Sequence, residues 1–461
     1  MPVEVEQRGA SSEGLRQVVA TGLPELLDQL EAAGRGLPRF VRTAMERLVA
    51  CGDLSHGFAW LACEGCHFHR LVPRSCRGRG GCPRCGGRRM NALAARWVDE
   101  VLPEVPVRQW VLTLPWDKRL LLSRRPDLAR GVLRVALRIL FRWYRDRGRA
   151  LGLPDGRTGS ITVLQRFGSS LNLNPHFHVL VLDGVYTLDN APRFVPLDPP
   201  TTEDVEDLVE RIADAALTWL AKQGIDDDDL PDDPDDAHLL VQAASMAGRT
   251  ALGRRRVRRV QTFRGREVRL PPRCAACEGF TLHGGTAVGR WDREGLERLC
   301  RYVARPPLAS DRLAVRRDGR VHLTLKTPWH DGTTALVFSR TDFVARLAAL
   351  VPPPRAHTVL YHGILAPRAT LRSRVVPTPP PPPPEATLRL THLPAPVPAR
   401  WRTWAELLAR VFGQAGWTCP RCAGPLHLRA IVWPPASIDV LRDLVRSASP
   451  PRAPPAPALA S

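Results

Sequence analysis

Long apolar runs are missing from this 461-residue chain. No stretch approaches the roughly 20 consecutive apolar residues that a membrane-spanning helix requires. The N-terminal stretch, MPVEVEQRGASSEG, contains acidic residues and no apolar core, so it is unlike a signal peptide. We therefore expect a cytoplasmic protein without a membrane partner. Cysteines stay reduced in that compartment, and paired cysteines there are typical of metal sites rather than disulfides.

Lysine is scarce as well. It occurs only at Lys118, Lys222 and Lys326, although lysine and arginine together number 66. The formal net charge is +20 and the isoelectric point is near 10.6. Such a basic excess favours a polyanionic partner, most often nucleic acid. A coding bias toward arginine, alanine and proline offers an alternative origin for this composition, which includes 45 prolines.

The spacing of apolar residues predicts a mixture of helices and strands. Spacing by three and four predicts helices within residues 15–50, 125–153, 202–223 and 292–309. Apolar runs predict strands at 107–115, 159–168 and 176–186, and a hairpin formed by 319–329 and 333–339.

Two low-complexity stretches mark boundaries in the chain. The acidic stretch at 225–238 is typical of a solvated loop, and PTPPPPPPEAT at 377–387 is typical of a polyproline spacer. Beyond the spacer we expect a short module containing CPRC, followed by a disordered tail rich in proline and alanine.

Cysteines are concentrated near the N-terminus. The segment CEGCHFHRLVPRSCRGRGGCPRC contains two CxxC pairs separated by fifteen residues. Two such pairs can complete a tetrahedral four-thiolate zinc site. We therefore predict a structural zinc site formed by Cys63, Cys66, Cys82 and Cys85. Cys51 and Cys76 are then left over, and His67 or His69 could replace one ligand.

Two further CxxC pairs lie elsewhere in the chain, Cys274/Cys277 and Cys419/Cys422. They could close a second zinc site together, although nothing in the sequence brings them to one place. Arginines also surround the N-terminal CxxC pairs and could bind DNA phosphates. A solvated basic loop is the alternative reading of these arginines. The candidate DNA contacts are Arg77, Arg79, Arg88 and Arg89.

Two histidines stand one residue apart in the predicted strand HFHVLVLDGVY. Because side chains alternate faces along a strand, His176 and His178 lie on one face, with Cα atoms about 6.5–7 Å apart. Two imidazoles so placed can chelate one divalent ion. A buried structural pair is the alternative. Gln165, on the strand expected to pair with this one, is a candidate third ligand, and Asp183 is another.

Imidazole ligands and a polyanionic substrate together favour metal-assisted phosphoryl transfer. Such chemistry needs a nucleophile, and the chain has only four tyrosines. Tyr302 lies in RLCRYVARP, where Arg301 and Arg305 could hold a phosphate and favour the phenolate. A tyrosine at the edge of a core helix is an equally simple reading. Tyr361, beside His362, is the second candidate.

Several of these motifs together resemble the rolling-circle transposases of the insertion-sequence-91 family, particularly the single-tyrosine branch that includes the common-region elements. The resemblance runs through roughly residues 40–370. It is carried by the cysteine motif, VRQWVLTLPW, QRFGSSLNLNPHFHVLVLDGVY, GFTLHGG, LERLCRYVARPPLASDRL, LKTPWHDGTT, LAALVPPPRAHTVLYHGILAP and, further on, the terminal CPRC.

The resemblance implies an α+β fold, in which a central antiparallel sheet is flanked by helices, as in HUH nucleases with their ferredoxin-like core. It implies that His176 and His178 bind catalytic Mg²⁺ or Mn²⁺ and that Tyr302 is the nucleophile. Such enzymes nick single-stranded DNA at an element end. They form a 5′-phosphotyrosine, release a 3′-OH and then transfer the strand. The implied partners are element ends, target DNA and host replication proteins.

One position departs from the two-tyrosine branch of the family. That branch has a tyrosine one helical turn before the second, where this chain has Arg298. An exchange between two tyrosines on one helix is therefore not available. Rejoining would require a freed 3′-OH, a second protomer or Tyr361.

The expected layout has four parts. A helical zinc module for DNA recognition spans 1–95, an HUH nuclease domain 100–370, a proline-rich linker 371–390 and a C-terminal CxxC module 391–461. We expect the protein to associate with the nucleoid. The alternatives are a rolling-circle replication initiator and a non-catalytic zinc protein that binds DNA, such as a decayed transposase.

Overall fold

The computed structural model describes residues 3–5, 10–76, 78, 81–225, 236–252, 271–326, 328–329, 332–377 and 418–448. Its helices are α1 Ala10–Glu31, α2 Arg39–Ala50, α3 Pro83–Glu100, α4 Arg119–Arg124, α5 Pro126–Ala150, α6 Thr202–Ala221, α7 Ala237–Met246, α8 Arg293–Ala304, α9 Arg340–Leu350, α10 Arg372–Val375 and α11 Ala436–Ala448. No helix in these ranges is both long and apolar enough to cross a membrane.

The strands are β1 Val3–Val5, β2 Phe58–Cys63, β3 His69–Pro73, β4 Val107–Thr113, β5 Gly159–Phe167, β6 Leu173–Leu182, β7 Gly184–Tyr186, β8 Phe194–Pro196, β9 Cys274–Cys277, β10 Phe280–Val288, β11 Leu313–Val315, β12 Val321–Thr324, β13 Ala335–Phe338, β14 Val359–Gly363 and β15 Leu426–Val432. The predicted helices and strands coincide with these elements to within a few residues. Most of the predicted acidic loop, the polyproline spacer and the C-terminal tail lie outside the described residues.

A six-stranded sheet forms the centre of the structure. Its strand order is β14-β5-β6-β4-β10-β9, and every neighbouring pair is antiparallel. This sheet and its flanking helices confirm the predicted α+β fold. The long strand β6 lies between β5 and β4, and its residue His178 stands opposite Val163 on one side and Val111 on the other.

The two faces of this sheet are covered by different helices. Phe177, Val179 and Val181 of β6 pack in a core with α5 and α6. Leu180 and Leu182 pack in a second core with α3 and α8. Because side chains alternate along a strand, His176 and His178 belong to the face that α3 and α8 cover. The histidine pair and the helix that carries Tyr302 are therefore on the same side of the sheet.

Asp183 lies at the end of β6 and points to the opposite side. Its carboxylate accepts two hydrogen bonds from Arg108, at 3.0 and 2.7 Å, and one from the Tyr144 hydroxyl at 3.0 Å. Tyr144 belongs to α5, on the face away from the histidines. The structure thus contradicts the prediction of Asp183 as an alternative metal ligand, because its oxygens are occupied by a buried ion pair.

Segments from the middle and from the C-terminal part of the chain pack against the N-terminal helices and strands. Helices α1, α2, α7 and α9 share a core with the small sheet β11-β12-β13. A four-stranded sheet has the order β1-β3-β2-β15, so the C-terminal strand β15 extends a sheet made by N-terminal strands. In this pairing Leu426 stands opposite Cys63. The C-terminal module, predicted from sequence as a tethered unit, therefore packs against the N-terminal cysteine segment.

Candidate active site and cysteine clusters

The two histidines of β6 form the centre of the candidate active site. Their Nε2 atoms are 3.1 Å apart, and both side chains are buried. Nδ1 of His176 donates a hydrogen bond to the carbonyl oxygen of Asn174 at 2.8 Å. This bond fixes the proton of His176 on Nδ1 and leaves an unprotonated Nε2 facing His178.

The second histidine is oriented by a glutamine from the neighbouring strand. The Gln109 amide nitrogen lies 2.6 Å from Nδ1 of His178. In this arrangement Gln109 donates to Nδ1, and the Nε2–H of His178 donates to His176. Rotating the Gln109 amide would present its oxygen instead and would move the histidine proton to Nδ1. Both Nε2 atoms would then offer lone pairs to a single cation.

Burial keeps both imidazoles in the neutral form that binds metals. Desolvation lowers the pKa of His178 to about 2, and the nearby His176 and Arg305 add to the shift. Burial likewise lowers the pKa of His176, and the charges of Arg305 and Arg119 contribute in the same direction. Neutral imidazole is the ligand form, so protons do not compete strongly for this pair at neutral pH.

Gln165 lies on β5 directly opposite His176. Its amide nitrogen donates to the carbonyl of Val303 at 2.7 Å, while its buried Oε1 has no hydrogen-bond partner among the described residues. Asn174 also has a buried Oδ1 without such a partner, but a β-bulge lies between it and the histidine pair. A buried carbonyl oxygen left unsatisfied costs about 1–3 kcal/mol, and a cation would remove that cost.

These atoms fit a divalent cation. Two neighbouring ligands at about 2.1 Å from an octahedral ion lie about 3.0 Å apart, close to the 3.1 Å between the Nε2 atoms. Two imidazole nitrogens and the Gln165 amide oxygen form a donor set that Mg²⁺ or Mn²⁺ accepts.

Tyr302 lies on the last turn of α8 beside this pair. Its ring centroid is 5.7 Å from that of His178, with the ring planes nearly perpendicular at 89°. The side chain is 38% exposed, so the phenol is accessible to a substrate from solvent. The structure thus brings together His176, His178, Gln165 and Tyr302, which the sequence separates by up to 137 residues.

Two cationic side chains lie against the Tyr302 ring. The Arg305 guanidinium carbon is 4.1 Å from the ring centroid, and the Lys326 ammonium nitrogen is 4.4 Å from it. Arg305 also has a buried Nη1 atom without a hydrogen-bond partner among the described residues. Arg301 instead lies 3.2 Å from Glu297 on the preceding turn. Sequence reasoning missed Lys326, although it is one of three lysines in the chain.

Tyr361, the alternative nucleophile, occupies a different place. It lies on the edge strand β14 opposite Ile161, and its hydroxyl accepts a hydrogen bond from the Trp97 indole at 3.0 Å. Two strand spacings and two residues separate it from His178, which places their Cα atoms roughly 12 Å apart. Its side chain packs at the border of the apolar core under α3 and α8. Of the two tyrosines predicted as candidate nucleophiles, Tyr302 is the one that lies beside the histidine pair.

The structure divides the cysteines differently from the sequence prediction. Cys82 and Cys85 join Cys51 and Cys76 in one group, which we call the first cysteine cluster. The Sγ atoms of Cys51 and Cys82 are 3.7 Å apart, and those of Cys51 and Cys85 are 3.5 Å apart. Sulfur ligands at 2.3 Å from one tetrahedral zinc ion lie about 3.8 Å apart. The predicted leftover residues Cys51 and Cys76 therefore belong to the site.

The other N-terminal pair has different partners. Cys63 and Cys66 join Cys419 and Cys422 in a second cysteine cluster. The predicted single site of Cys63, Cys66, Cys82 and Cys85 is therefore wrong, because the two pairs lie in separate clusters. The suggested pairing of Cys419/Cys422 with Cys274/Cys277 is wrong too. Cys274 and Cys277 belong to β9 and join no ligand cluster within the described ranges.

The first cysteine cluster lies close to the segment that follows Tyr302. Cys82 precedes α3 and Cys85 lies in its first turn, where Gly86 packs against Pro306 just after α8. Of the predicted DNA-contacting arginines on this helix, Arg88 is exposed and Arg89 is half-buried, whereas Arg77 and Arg79 lie outside the described residues. The helix that carries Cys85 therefore packs against the segment that follows Tyr302.

Two family models match the chain. A model described as "Putative transposase" matches residues 159–373, which contain the histidine pair, Gln165 and Tyr302. A model described as "Transposase zinc-binding domain" matches residues 23–114, which contain the whole first cysteine cluster. That match and the clustered thiols indicate structural zinc. No curated protein and no solved structure matches the chain.

Proposed function

Because the chain belongs to the insertion-sequence-91 family of transposases, we propose that it cleaves single-stranded DNA at an element end with Tyr302 as the nucleophile. The observation that carries this proposal is the contact of the Tyr302 ring with His178, 5.7 Å between centroids, beside two Nε2 atoms 3.1 Å apart. A phenol next to a preformed cation site is the arrangement that metal-assisted phosphoryl transfer requires.

In the proposed step the Tyr302 oxygen attacks the scissile phosphorus. A bond forms between that oxygen and phosphorus, and the bond from phosphorus to the 3′ oxygen breaks. The phenol loses its proton and the departing 3′ oxygen gains one, so the products are a 5′-phosphotyrosine and a free 3′-OH. The phosphodiester energy is retained in the new bond, so strand transfer consumes no nucleotide.

The residues around Tyr302 have separate parts in this proposal. Arg305 and Lys326, at 4.1 and 4.4 Å from the ring centroid, stabilise the phenolate and the phosphate charge. His176, His178 and Gln165 would hold Mg²⁺ or Mn²⁺. When bound, that ion supplies polarisation of the scissile phosphate. Gln165 also links the two parts, because its amide donates to Val303 beside Tyr302.

The position of Arg298 supports a mechanism with one tyrosine. Arg298 lies one turn before Tyr302 on an exposed part of α8 and approaches Asp292 and Glu294 at 3.8 and 3.7 Å. No second phenol is offered from that turn. We propose that the strand is rejoined by a 3′-OH attacking the phosphotyrosine. This step is the reverse of cleavage and regenerates the Tyr302 hydroxyl.

A covalent-adduct assay tests the proposal. Full-length protein is incubated with Mn²⁺ and a single-stranded oligonucleotide of the element end, and adducts are resolved on a denaturing gel. We expect an adduct with wild-type protein and none with Tyr302→Phe or His178→Ala. Tyr361→Phe is the matched control and should keep the wild-type yield. An adduct that persists in Tyr302→Phe and disappears in Tyr361→Phe would overturn the assignment.

A further inference from the structure

The second cysteine cluster is built from two segments with the same backbone conformation. In the first, the Cys63 amide donates to the Phe68 carbonyl at 2.8 Å, and the His67 amide donates to the Cys63 carbonyl at 3.0 Å. His67, the residue after the CxxC pair, has a left-handed φ of 51°. This tight turn points both thiols of Cys63 and Cys66 to one side.

The second segment repeats this pattern residue for residue. The Cys419 amide donates to the Gly424 carbonyl at 2.7 Å, and the Ala423 amide donates to the Cys419 carbonyl at 3.0 Å. Ala423, again the residue after the pair, has a φ of 56°. A left-handed φ is uncommon outside glycine, so its occurrence at the same position in both turns indicates a shared constraint.

The sulfur atoms of the two turns are arranged for one ion. Cys63 Sγ is 3.4 Å from Cys422 Sγ, and Cys66 Sγ is 3.5 Å from Cys419 Sγ. These separations exceed a disulfide bond length of about 2.05 Å. They are close to the roughly 3.8 Å edge of a zinc–thiolate tetrahedron. All four sulfur atoms lie within 4.8 Å of one another.

The strands around these turns place them at one end of the same sheet. Strand β2 ends at Cys63, β3 begins at His69 just after the first turn, and β15 begins at Leu426 just after the second. Strand β2 pairs with both β3 and β15. The Cys419/Cys422 pair lies outside both segments matched by family models.

We propose that Cys63, Cys66, Cys419 and Cys422 bind one structural zinc ion, distinct from the ion of the first cysteine cluster. This ion fastens strand β15 to strand β2 across 353 residues of sequence. Zinc binding converts the cysteine thiols to thiolates and releases their protons, without any change of oxidation state. The proposal does not depend on the nicking chemistry.

Zinc stoichiometry tests this inference directly. Full-length protein purified under reducing conditions is assayed for zinc by mass spectrometry of the metal. We expect two zinc ions per wild-type chain and one in Cys419→Ser/Cys422→Ser. The matched control, Cys274→Ser/Cys277→Ser, changes a CxxC pair that joins no cluster within the described ranges and should keep two. One ion in the wild type, or two in Cys419→Ser/Cys422→Ser, would overturn the proposal.

A second measurement uses the wild-type cysteines, in case the serine variant does not fold. A protease recognition sequence is introduced between residues 378 and 390, and the purified full-length protein is then cleaved. We expect the C-terminal fragment to co-elute with the remainder on size exclusion and to separate after zinc is chelated. Separation before chelation, or co-elution unchanged by complete removal of zinc, contradicts a zinc link between the two segments.

Discussion

Replacing Asp183 distinguishes a structural carboxylate from a catalytic one. Asp183 is 5% exposed and its partner Arg108 is 2% exposed. Asp183→Ala removes two hydrogen bonds to the guanidinium, at 3.0 and 2.7 Å, and one from Tyr144. Arg108 keeps only its bond to the Gly284 carbonyl at 2.8 Å among the contacts of this network. A buried charge left without its partner destabilises a fold by about 3–5 kcal/mol.

The double variant Arg108→Met/Asp183→Leu provides the matched control. It removes both charges and fills the space with apolar atoms, so most of the loss should be recovered. The remaining cost, about 1–3 kcal/mol per group, comes from the Tyr144 hydroxyl, which loses its acceptor, and from the Gly284 carbonyl, which loses its donor. Urea unfolding followed by tryptophan fluorescence reports this region, because Trp110 and Trp143 lie in the adjoining core.

The same variants separate stability from metal binding. Asp183 lies on the sheet face opposite His176 and His178, so folded Asp183→Ala should bind Mn²⁺ with wild-type affinity in calorimetric titration. Wild-type stability combined with a loss of Mn²⁺ affinity in Asp183→Ala would contradict this assignment, since that pattern identifies a ligand.

Two further predictions concern the surroundings of Tyr302. In Gly86→Ala the new Cβ would lie 2.5 Å from Pro306 Cβ, whereas Gly87 has nothing within 4 Å. We expect Gly86→Ala to lower the free energy of unfolding by about 1–3 kcal/mol and to lower the adduct yield. Gly87→Ala should leave both quantities unchanged. Equal effects of the two variants on adduct yield would contradict this packing. The second prediction is that Mn²⁺ affinity falls by clearly less than tenfold per histidine between pH 7.5 and 5.5, because the pKa of His178 is lowered to about 2 and that of His176 is also lowered. Imidazoles with the ordinary pKa near 6.5 would lose about tenfold in affinity per histidine in calorimetric titration. Over the same range the unfolded chain takes up protons that these histidines do not, so the free energy of unfolding falls as pH drops below about 6.5.

Local patterns made the main elements of the fold predictable. The alternation in HFHVLVL places two imidazoles on one face of β6, and the structure keeps them there. The helical spacing of RLCRYVARP places Tyr302 near the end of α8. Both features depend on periodicity over a few residues, which a sequence displays directly.

The cysteine partners could not be predicted by the same means. The CxxC spacing identifies each turn, and a turn with two thiols can combine with any other. The choice of partner depends on strand pairing between β2 and β15, which are far apart in the chain. Cys51 and Cys76 stand alone in sequence and reach Cys82 and Cys85 only through tertiary packing. The ligand set of each cluster therefore depends on contacts between distant parts of the chain, which the CxxC spacing does not determine.

The roles of Asp183 and Lys326 also depended on tertiary structure. Asp183 follows the histidine strand closely in sequence, yet it lies on the opposite face and binds Arg108. Lys326 comes 24 residues after Tyr302 and approaches its ring from the segment that follows β12. Proximity along the chain was misleading in the first case and uninformative in the second.

The most direct measurement is the identity of the peptide that carries DNA. The covalent adduct formed with Mn²⁺ is digested with nuclease and trypsin, and the nucleotide-bearing peptide is sequenced by mass spectrometry. Trypsin cuts after Arg301 and Arg312 and spares the Arg305–Pro306 bond, so Tyr302 appears in YVARPPLASDR. We predict the phosphate on that peptide. A phosphate on AHTVLYHGILAPR, which contains Tyr361, would contradict the account.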